Sequence, residues 1–377
     1  MHNNNENREE LDQLREAEVS AREDARHNPL WLLFVNGYST LVVFIVHLIS
    51  LESLLSVALA VAMTVYLYQE TDEQAFDGGG MSWVLLSFAI VTPITSSITM
   101  AFARRDRALI SIGRLRATAI EIYAAHARWD WSFQMYGSSG RTKSSVDWLE
   151  HSDHVLQVLL NLLVTLTRYL TLPTSSRARH KVTGFGQKEA DKILNVSAQL
   201  YEKMMEEFAK LSDTCEKLKA EGLPANEASR IRQWERFMLE DIENMRVIKR
   251  YRTPQGLRSF GRMFSMFLPP FYAPYYVQLA RDLNSLGIGI AFSVVTSIAL
   301  TSLFEIVGQM EDPFITSSGL DGIHVYQELL SNLRPRILCM RKHFFPRAPS
   351  FEDDAGAIKA PESIRPGPLS GARIYNE

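Results

Sequence analysis

Residues 286–314 read LGIGIAFSVVTSIALTSLFEIVGQMEDPF, and this stretch decides the fold class. Its apolar part, from Leu286 to Val307, contains small hydroxyl residues but only one ionisable side chain, that of Glu305. A helix needs about 20 consecutive, mostly apolar residues to cross the hydrocarbon core of a bilayer. The stretch therefore predicts a membrane-spanning helix that ends at the polar element Glu311-Asp312-Pro313-Phe314.

A second apolar run lies just upstream, from Met263 to Ala280, and is rich in aromatic residues and prolines. The polar residues Arg281 to Asn284 separate it from the first run. Together the two runs predict a C-terminal membrane pair over residues 257–307. A cytoplasmic segment is expected over residues 308–345. Residues 346–377 mix Pro, Gly, Ser and charges without periodicity and predict a disordered tail.

Two more apolar runs lie near the N-terminus. One extends from Leu30 to Tyr68 with Glu52 inside it, and the other extends from Ser82 to Ala103. They predict a first membrane pair over residues 30–103, with spans at about 30–68 and 82–103. Hydropathy alone allows the first run to form either two short spans or one long bent helix preceded by an interfacial piece.

The charges that flank these runs predict the topology. The loop over residues 69–80 is acidic and has no Lys or Arg, whereas the next run ends in Arg104-Arg105-Asp106-Arg107. Since positive residues concentrate on the cytoplasmic side, we expect the acidic loop outside and Arg104 inside. The polar N-terminal segment, residues 1–29, also carries arginines. We therefore expect cytoplasmic N- and C-termini and one crossing by residues 30–68, in the plasma membrane or an endomembrane.

Composition and motifs exclude several classes of function. A net charge of −3 and a pI near 6.3 give no reason to expect nucleic acid as a partner. The two cysteines, Cys215 and Cys339, indicate neither a disulfide framework nor a thiolate metal site. The sequence lacks phosphate-binding glycine loops, metalloprotease motifs and nucleophile elbows. His151 and His154 are only a loosely spaced pair, so neither a metal nor another cofactor is predicted.

Between the membrane pairs, residues 104–256 predict a helical cytoplasmic domain. Apolar residues recur there at three- and four-residue steps, as in helices packed on one face. Lys188–Glu221 and Ala225–Tyr251 predict an antiparallel hairpin with a turn at Gly222-Leu223-Pro224. Val155–Leu172 is apolar for about the minimum span length but carries polar side chains, and we favour a helix buried in this domain over a further membrane span.

The run from Ser82 to Ala103 is polar for a membrane helix, with Thr and Ser residues grouped around Pro93. Such hydroxyls often bond their own backbone or pack between helices. The other interpretation is a stripe that lines a water-filled path, since helical spacing puts four residues on one face: Phe88, Thr92, Ser96 and Thr99. With Arg104 at its cytoplasmic mouth, such a path would favour anions. Because an ionisable group inside a membrane is costly, two further site candidates are His47 and Glu305.

The order of these features resembles the bestrophin family. Thr253-Pro254 and Leu268-Pro269-Pro270 precede a span that closes in Glu311 to Phe314, and the fourth membrane helix of bestrophins ends in a similar Glu/Asn-Asp-Pro-Phe element. Asp321 resembles the Asp that follows this element in the family. Residues 103–109, ARRDRAL, are similar to the family's Phe-Arg-x-Asn-x-Ala-Tyr, with Asp and Leu in place of Asn and Tyr.

The resemblance implies an all-α integral membrane protein with four transmembrane helices in two pairs and a large helical cytoplasmic insert. It further implies a homopentameric anion channel whose second span lines a central pore. The three bulky apolar neck positions of animal members fall on Phe88, Thr92 and Ser96, of which only Phe88 is bulky and apolar, so a dewetting gate of the family type is not expected. The acidic run of the animal calcium clasp is missing after Phe314, and calcium control of that kind is not supported.

Two functions from different classes compete. The first is a bestrophin-like channel that conducts chloride or a similar monovalent anion across the lipid bilayer. The second is a membrane-anchored helical scaffold whose residues 104–250 bind a partner without conduction. An enzyme ranks third, because only scattered carboxylates on amphipathic helices support it.

Overall fold

The computed structural model describes residues 13–21, 23, 29–70, 91–136, 146–315 and 322–351, and the regular structure in these residues is helical throughout. The predicted all-α class is therefore confirmed. Most of the predicted acidic loop, residues 71–80, and most of the predicted tail, residues 352–377, lie outside the described residues. Contacts divide the chain into two units, residues 1–49 and 50–377.

Residues 13–21 are helical. From residue 29 onward the helices of the described part are α1 (Pro29–Val43), α2 (Leu51–Glu70), α3 (Thr92–Tyr136), α4 (Trp148–Thr171), α5 (Ala178–Val182), α6 (Gly184–Ala220), α7 (Ala225–Arg250), α8 (Gln255–Phe271), α9 (Ala273–Asp282), α10 (Leu286–Met310) and α11 (Leu333–Phe344). Two π-helical turns, Phe44–Leu48 and Gln327–Ser331, accompany them.

The first unit contributes α1, which continues into the π-helical turn Phe44–Leu48. No residue of α1 is buried. The backbone of Ile49 is extended, with φ −89° and ψ 108°, and the helix ends there. The apolar run from Leu30 to Tyr68 thus contains two helices, and the number of its membrane crossings stays a prediction.

In the second unit, α2 packs against α8, α9 and α10. Small side chains line this contact, because four residues of α2 are fully buried at three- and four-residue steps: Ser53, Ser56, Ala60 and Thr64. The Ser56 hydroxyl donates to the Met266 carbonyl at 2.9 Å. Close packing of small residues and interhelical hydrogen bonds drive helix association in a bilayer, where lipid tails are as apolar as the side chains.

The predicted apolar run from Met263 to Ala280 forms two helices, α8 and α9. Pro269 and Pro270 lie at the end of α8, and Pro274 lies in the first turn of α9, where its missing N–H is tolerated. Gly289 lets α10 approach α9, since a Cβ there would lie 2.6 Å from the Tyr276 carbonyl oxygen.

Three helical segments of the described residues are long and apolar enough to cross a membrane: Pro29–Leu48, Leu51–Glu70 and Leu286–Met310. Residues 82–90 of the second predicted span lie outside the described part. The predicted count of four transmembrane helices therefore stays a prediction, as do the domain boundaries.

Helix α3 has 45 residues, which corresponds to a length of about 68 Å at 1.5 Å per residue. It packs against α8 and α10 near its start and against α4, α7 and α11 further along. The end of the second predicted span and the amphipathic segment beyond Arg104 therefore form one continuous helix. Helix α4 is almost wholly buried beside α3 and α6, so Val155–Leu172 is surrounded by protein.

The predicted hairpin is confirmed by α6 and α7, which pack against each other. Gly222 ends α6 with a φ of 92°, a conformation that glycine adopts without strain, and Leu223 donates its N–H to the Leu218 carbonyl at 3.0 Å.

The disordered tail was predicted to start at residue 346, and this boundary is wrong. Residues 346–351 lie against the helical body, which is formed by α3, α4, α6, α7 and α11. Arg341 donates to both carboxylate oxygens of Asp153, at 2.6 and 2.7 Å, and to the Pro349 carbonyl at 2.8 Å. Its guanidinium also lies 5.6 Å from the centre of the Phe351 ring. A single buried arginine thereby ties this segment to α4.

Candidate functional site

The element that ends α10 lies inside the protein as a buried ion-paired cluster. Glu311 and Asp312 are 4% and 6% exposed. Arg258 and Arg252 donate to Glu311 Oε2 at 2.8 and 3.2 Å, and the Thr253 hydroxyl donates to Glu311 Oε1 at 2.8 Å. A buried carboxylate is tolerated only with such partners. Glu311 therefore joins the end of α10 to the start of α8.

Asp312 makes the corresponding connection to α7. Lys249 Nζ lies 2.8 Å from Asp312 Oδ2, and Arg252 Nη2 lies 3.4 Å from the same oxygen. Burial lowers the pKa of Lys249, and the neighbouring carboxylate of Asp312 opposes that shift. We refer to Lys249, Arg252, Arg258, Glu311 and Asp312 as the junction cluster, in which three cations face two carboxylates.

The rest of the predicted family motif follows the junction cluster. Phe314 is 1% exposed and packs in the core of the helical body. The Pro313 carbonyl accepts the N–H of Ile323 at 2.6 Å. Asp321, the remaining predicted motif residue, lies outside the described residues.

Arg104, the predicted residue at the cytoplasmic end of the second span, lies beside the junction cluster. Its guanidinium donates to the carbonyls of Ile248 and Tyr251, which belong to the C-terminal end of α7. The last carbonyls of a helix have no partner within the helix, and a cation there also interacts favourably with the helix dipole. Arg104 therefore caps α7, and its role in attracting anions stays a prediction.

The predicted hydroxyl residues of α3 lie on an exposed face. At about 100° per residue, Ser96 and Thr99 lie within about 40° of Thr92 around the helix axis. All three are exposed, whereas the opposite face is buried through Ile94, Ser97 and Ala101. Phe88, the fourth residue predicted on this face, lies outside the described residues.

Some of these hydroxyls bond their own backbone. Thr99 donates to the Thr95 carbonyl at 3.0 Å, and Ser97 donates to the Pro93 carbonyl at 2.9 Å. Of the two interpretations that the sequence allowed, backbone bonding therefore describes Thr99 and Ser97. Ser96 has no hydrogen-bond partner among the described residues and is open to other ligands.

The two ionisable candidates of the apolar helices have different surroundings. Glu305 is half-buried on α10, near a pair in which the Arg262 guanidinium of α8 donates to the Glu52 carboxylate of α2. This ion pair connects α8 to α2. The two residues are 210 positions apart, so their spacing in sequence could not indicate the pair. His47 is half-buried in the π-helical turn of the first unit.

A buried histidine pair in the helical body was not predicted from the sequence. His126 Nδ1 of α3 lies 3.0 Å from His151 Nε2 of α4, so one ring donates to the other. Burial, followed by the neighbouring ring, lowers the pKa of His126 to about 3. Burial, followed by Lys217 and His154, lowers the pKa of His151 to about 4. The described residues contain no group of three or more His, Cys, Asp or Glu that could hold a metal.

Solved structures with a similar fold were found, but no similar sequence family was found. Neither a scan against protein-family models nor a search of curated proteins finds a match. Among solved structures, a variant of a bacterial bestrophin homologue from Klebsiella pneumoniae is 13% identical with a TM-score of 0.54, and the match covers 77% of this chain and 97% of that chain.

Two further crystal structures agree with this match. Another structure of the Klebsiella pneumoniae bestrophin homologue is 13% identical with a TM-score of 0.54, covering 79% of this chain and 98% of that chain. A variant described as a membrane protein gives 13% identity and a TM-score of 0.54, covering 78% and 99%. The chain therefore has the fold of these bestrophin homologues, and the predicted resemblance is confirmed at the level of the fold.

Proposed function

We propose that this chain is a subunit of an oligomeric, bestrophin-like channel that conducts chloride or a similar monovalent anion across a membrane. One observation carries the proposal: the predicted pore residues Thr92, Ser96 and Thr99 lie together on the exposed face of α3. Because the opposite face of this helix is buried, the hydroxyl face is the one available to an aqueous path or to other subunits.

The exposed face continues along α3 beyond the predicted span. Residues at the same helical phase remain exposed for several turns: Ala103, Asp106, Ile110, Gly113, Ala117 and Glu121. A ring of identical subunits around a central axis needs such a face on each copy. We therefore propose that the five copies of α3 in a homopentamer surround its central axis. The small, polar side chains of Thr92 and Ser96 would keep the narrow part of the pore filled with water, so that a passing anion would keep its hydration there.

The direct test is chloride flux through liposomes that contain the purified, full-length oligomer. The channel proposal expects flux that follows the chloride gradient. A folded oligomer without flux would overturn it and favour the membrane-anchored scaffold. A monomer in detergent would also contradict a central pore.

A pair of substitutions tests which face of α3 lines the path. Thr92→Phe places a ring at the centre of the exposed face and is expected to reduce the flux at least about tenfold by narrowing the neck. The matched control is Val91→Phe, which adds a ring about 100° away from Thr92 around the helix and is also exposed. Equal losses in both variants would contradict the assignment of the pore-facing side.

A further inference from the structure

A cavity of about 400 Å³ lies in the helical body, between the end of α4, the following segment, α6 and α7. This volume falls within the range of about 300–1,000 Å³ that is typical of small-molecule sites. Arg258, at the start of α8, donates to the Ser176 carbonyl at 3.1 Å. This bond holds the segment that follows α4, residues 172–177, beside α8. The cavity is therefore close to the junction cluster.

The charged residues that line this cavity are all cations, and all three come from α7: Arg246, Lys249 and Arg250. Lys249 is paired with Asp312, and Arg246 with Glu243 at 2.6 Å. Arg250 is exposed, and no carboxylate of the described residues lies within ion-pair distance of it. The cavity therefore has an excess of positive charge at Arg250.

Neutral hydrogen-bonding groups surround these cations. Ser175, Asn195 and Tyr169 also line the cavity, and none of their side chains has a hydrogen-bond partner among the described residues. The remaining wall includes apolar side chains, among them Leu172 and Ile193. The arrangement offers several unused donors near a guanidinium, together with an apolar surface.

We propose that this cavity binds the phosphate group of a small phosphomonoester. Arg250 supplies the uncompensated positive charge that attracts a phosphomonoester, and its planar guanidinium can bind two phosphate oxygens in a bidentate manner. Arg246 and Lys249, although paired with carboxylates, add further cationic donors beside it. The cavity is larger than a phosphate group alone, and its apolar wall accommodates an organic substituent. Lys249 belongs both to this site and to the junction cluster, so the bound phosphate would share a cation with Asp312.

A phosphomonoester of this kind exists both free and as a lipid headgroup, and two probes distinguish the sources. Purified full-length protein in detergent is titrated by calorimetry with glycerol 3-phosphate and, separately, with a short-chain phosphatidic acid; sodium sulfate is the anion control. Saturable binding of glycerol 3-phosphate indicates a free metabolite, whereas binding of phosphatidic acid alone indicates a lipid headgroup. Binding of neither at millimolar concentration overturns the proposal.

Variants assign the binding to the cavity. Because Arg250 is exposed, Arg250→Gln should fold normally, and it is expected to weaken binding about tenfold or more through loss of a charge-assisted contact. Asn195→Leu removes a neutral donor and should weaken binding by a smaller factor. Arg236→Gln is the matched control, since Arg236 lies on the same helix with its side chain 76% exposed. Equal weakening in Arg250→Gln and Arg236→Gln would show nonspecific charge attraction and refute the site.

Discussion

The junction cluster makes Glu311→Gln the most informative single substitution. The change keeps the shape of the side chain and removes its charge. Glu311 is 4% exposed and accepts from Arg258, Thr253 and Arg252 at 2.8, 2.8 and 3.2 Å. After the substitution, three buried cations would face the single carboxylate of Asp312.

Breaking a buried ion pair by neutralising one partner costs about 3–5 kcal/mol, because the other charge stays buried without compensation. For a chain of this size, 1 kcal/mol corresponds to a Tm shift of about 2 °C. We therefore expect the Tm of Glu311→Gln in detergent, followed by circular dichroism, to fall by about 6–10 °C. Adding Arg258→Gln removes one uncompensated cation and should restore part of this loss.

Glu216→Gln is the matched control on the protein surface. Its side chain is 52% exposed and pairs with Lys219 and Arg232 at 2.7 and 2.5 Å. Exposed pairs contribute about 0–1 kcal/mol, so the Tm should change by no more than about 2 °C. Equal shifts for Glu311→Gln and Glu216→Gln, or no rescue by Arg258→Gln, would refute the reasoning that the buried charges of the junction cluster depend on Glu311.

Three further predictions concern the helical body and the contact between α9 and α10. The pKa values of His126 and His151, lowered from 6.5 to about 3 and about 4, mean that the unfolded chain binds more protons below pH 6.5. Stability should therefore be fully present above pH 6.5 and fall as the pH decreases towards 4, by about 2 kcal/mol per histidine near pH 5, as measured by Tm against pH. Gly289→Ala should destabilise the protein by about 1–3 kcal/mol, because the added Cβ meets backbone, whereas Gly308→Ala, with nothing within 4 Å, should not. Arg341→Gln should free the segment beyond Phe344 and speed its limited proteolysis about fivefold or more.

Each of these predictions has an outcome that contradicts it. An unchanged dependence of Tm on pH in the His126→Leu/His151→Leu double variant would show that other groups cause the acid sensitivity. Equal Tm values for the two glycine variants would refute the close approach of α9 and α10. If Arg347→Gln, a change at an exposed neighbouring arginine, speeds proteolysis as much as Arg341→Gln, the tie to α4 is not what protects the segment.

The helices themselves were predictable because their signals are local. The apolar run of Leu286 to Val307 and the three- and four-residue periodicity of Ala225–Tyr251 both depend on neighbouring residues along the chain. The face of α3 that carries Thr92, Ser96 and Thr99 follows from helix geometry alone. Even the bestrophin resemblance rested on the order of such segments and on the short element Glu311 to Phe314.

The partners of these segments were decided by tertiary structure. Glu311 pairs with Arg258 across 53 positions of sequence, and His126 meets His151 and not the histidine three positions beyond it. The position of Arg104 at the end of the second predicted span followed from the sequence, but the sequence did not indicate that its guanidinium caps α7. Sequence periodicity determines which face of a helix is apolar or polar. Which side chain of another helix meets that face depends on how the helices pack, and this sets the burial and the pairing of every charge in the junction cluster.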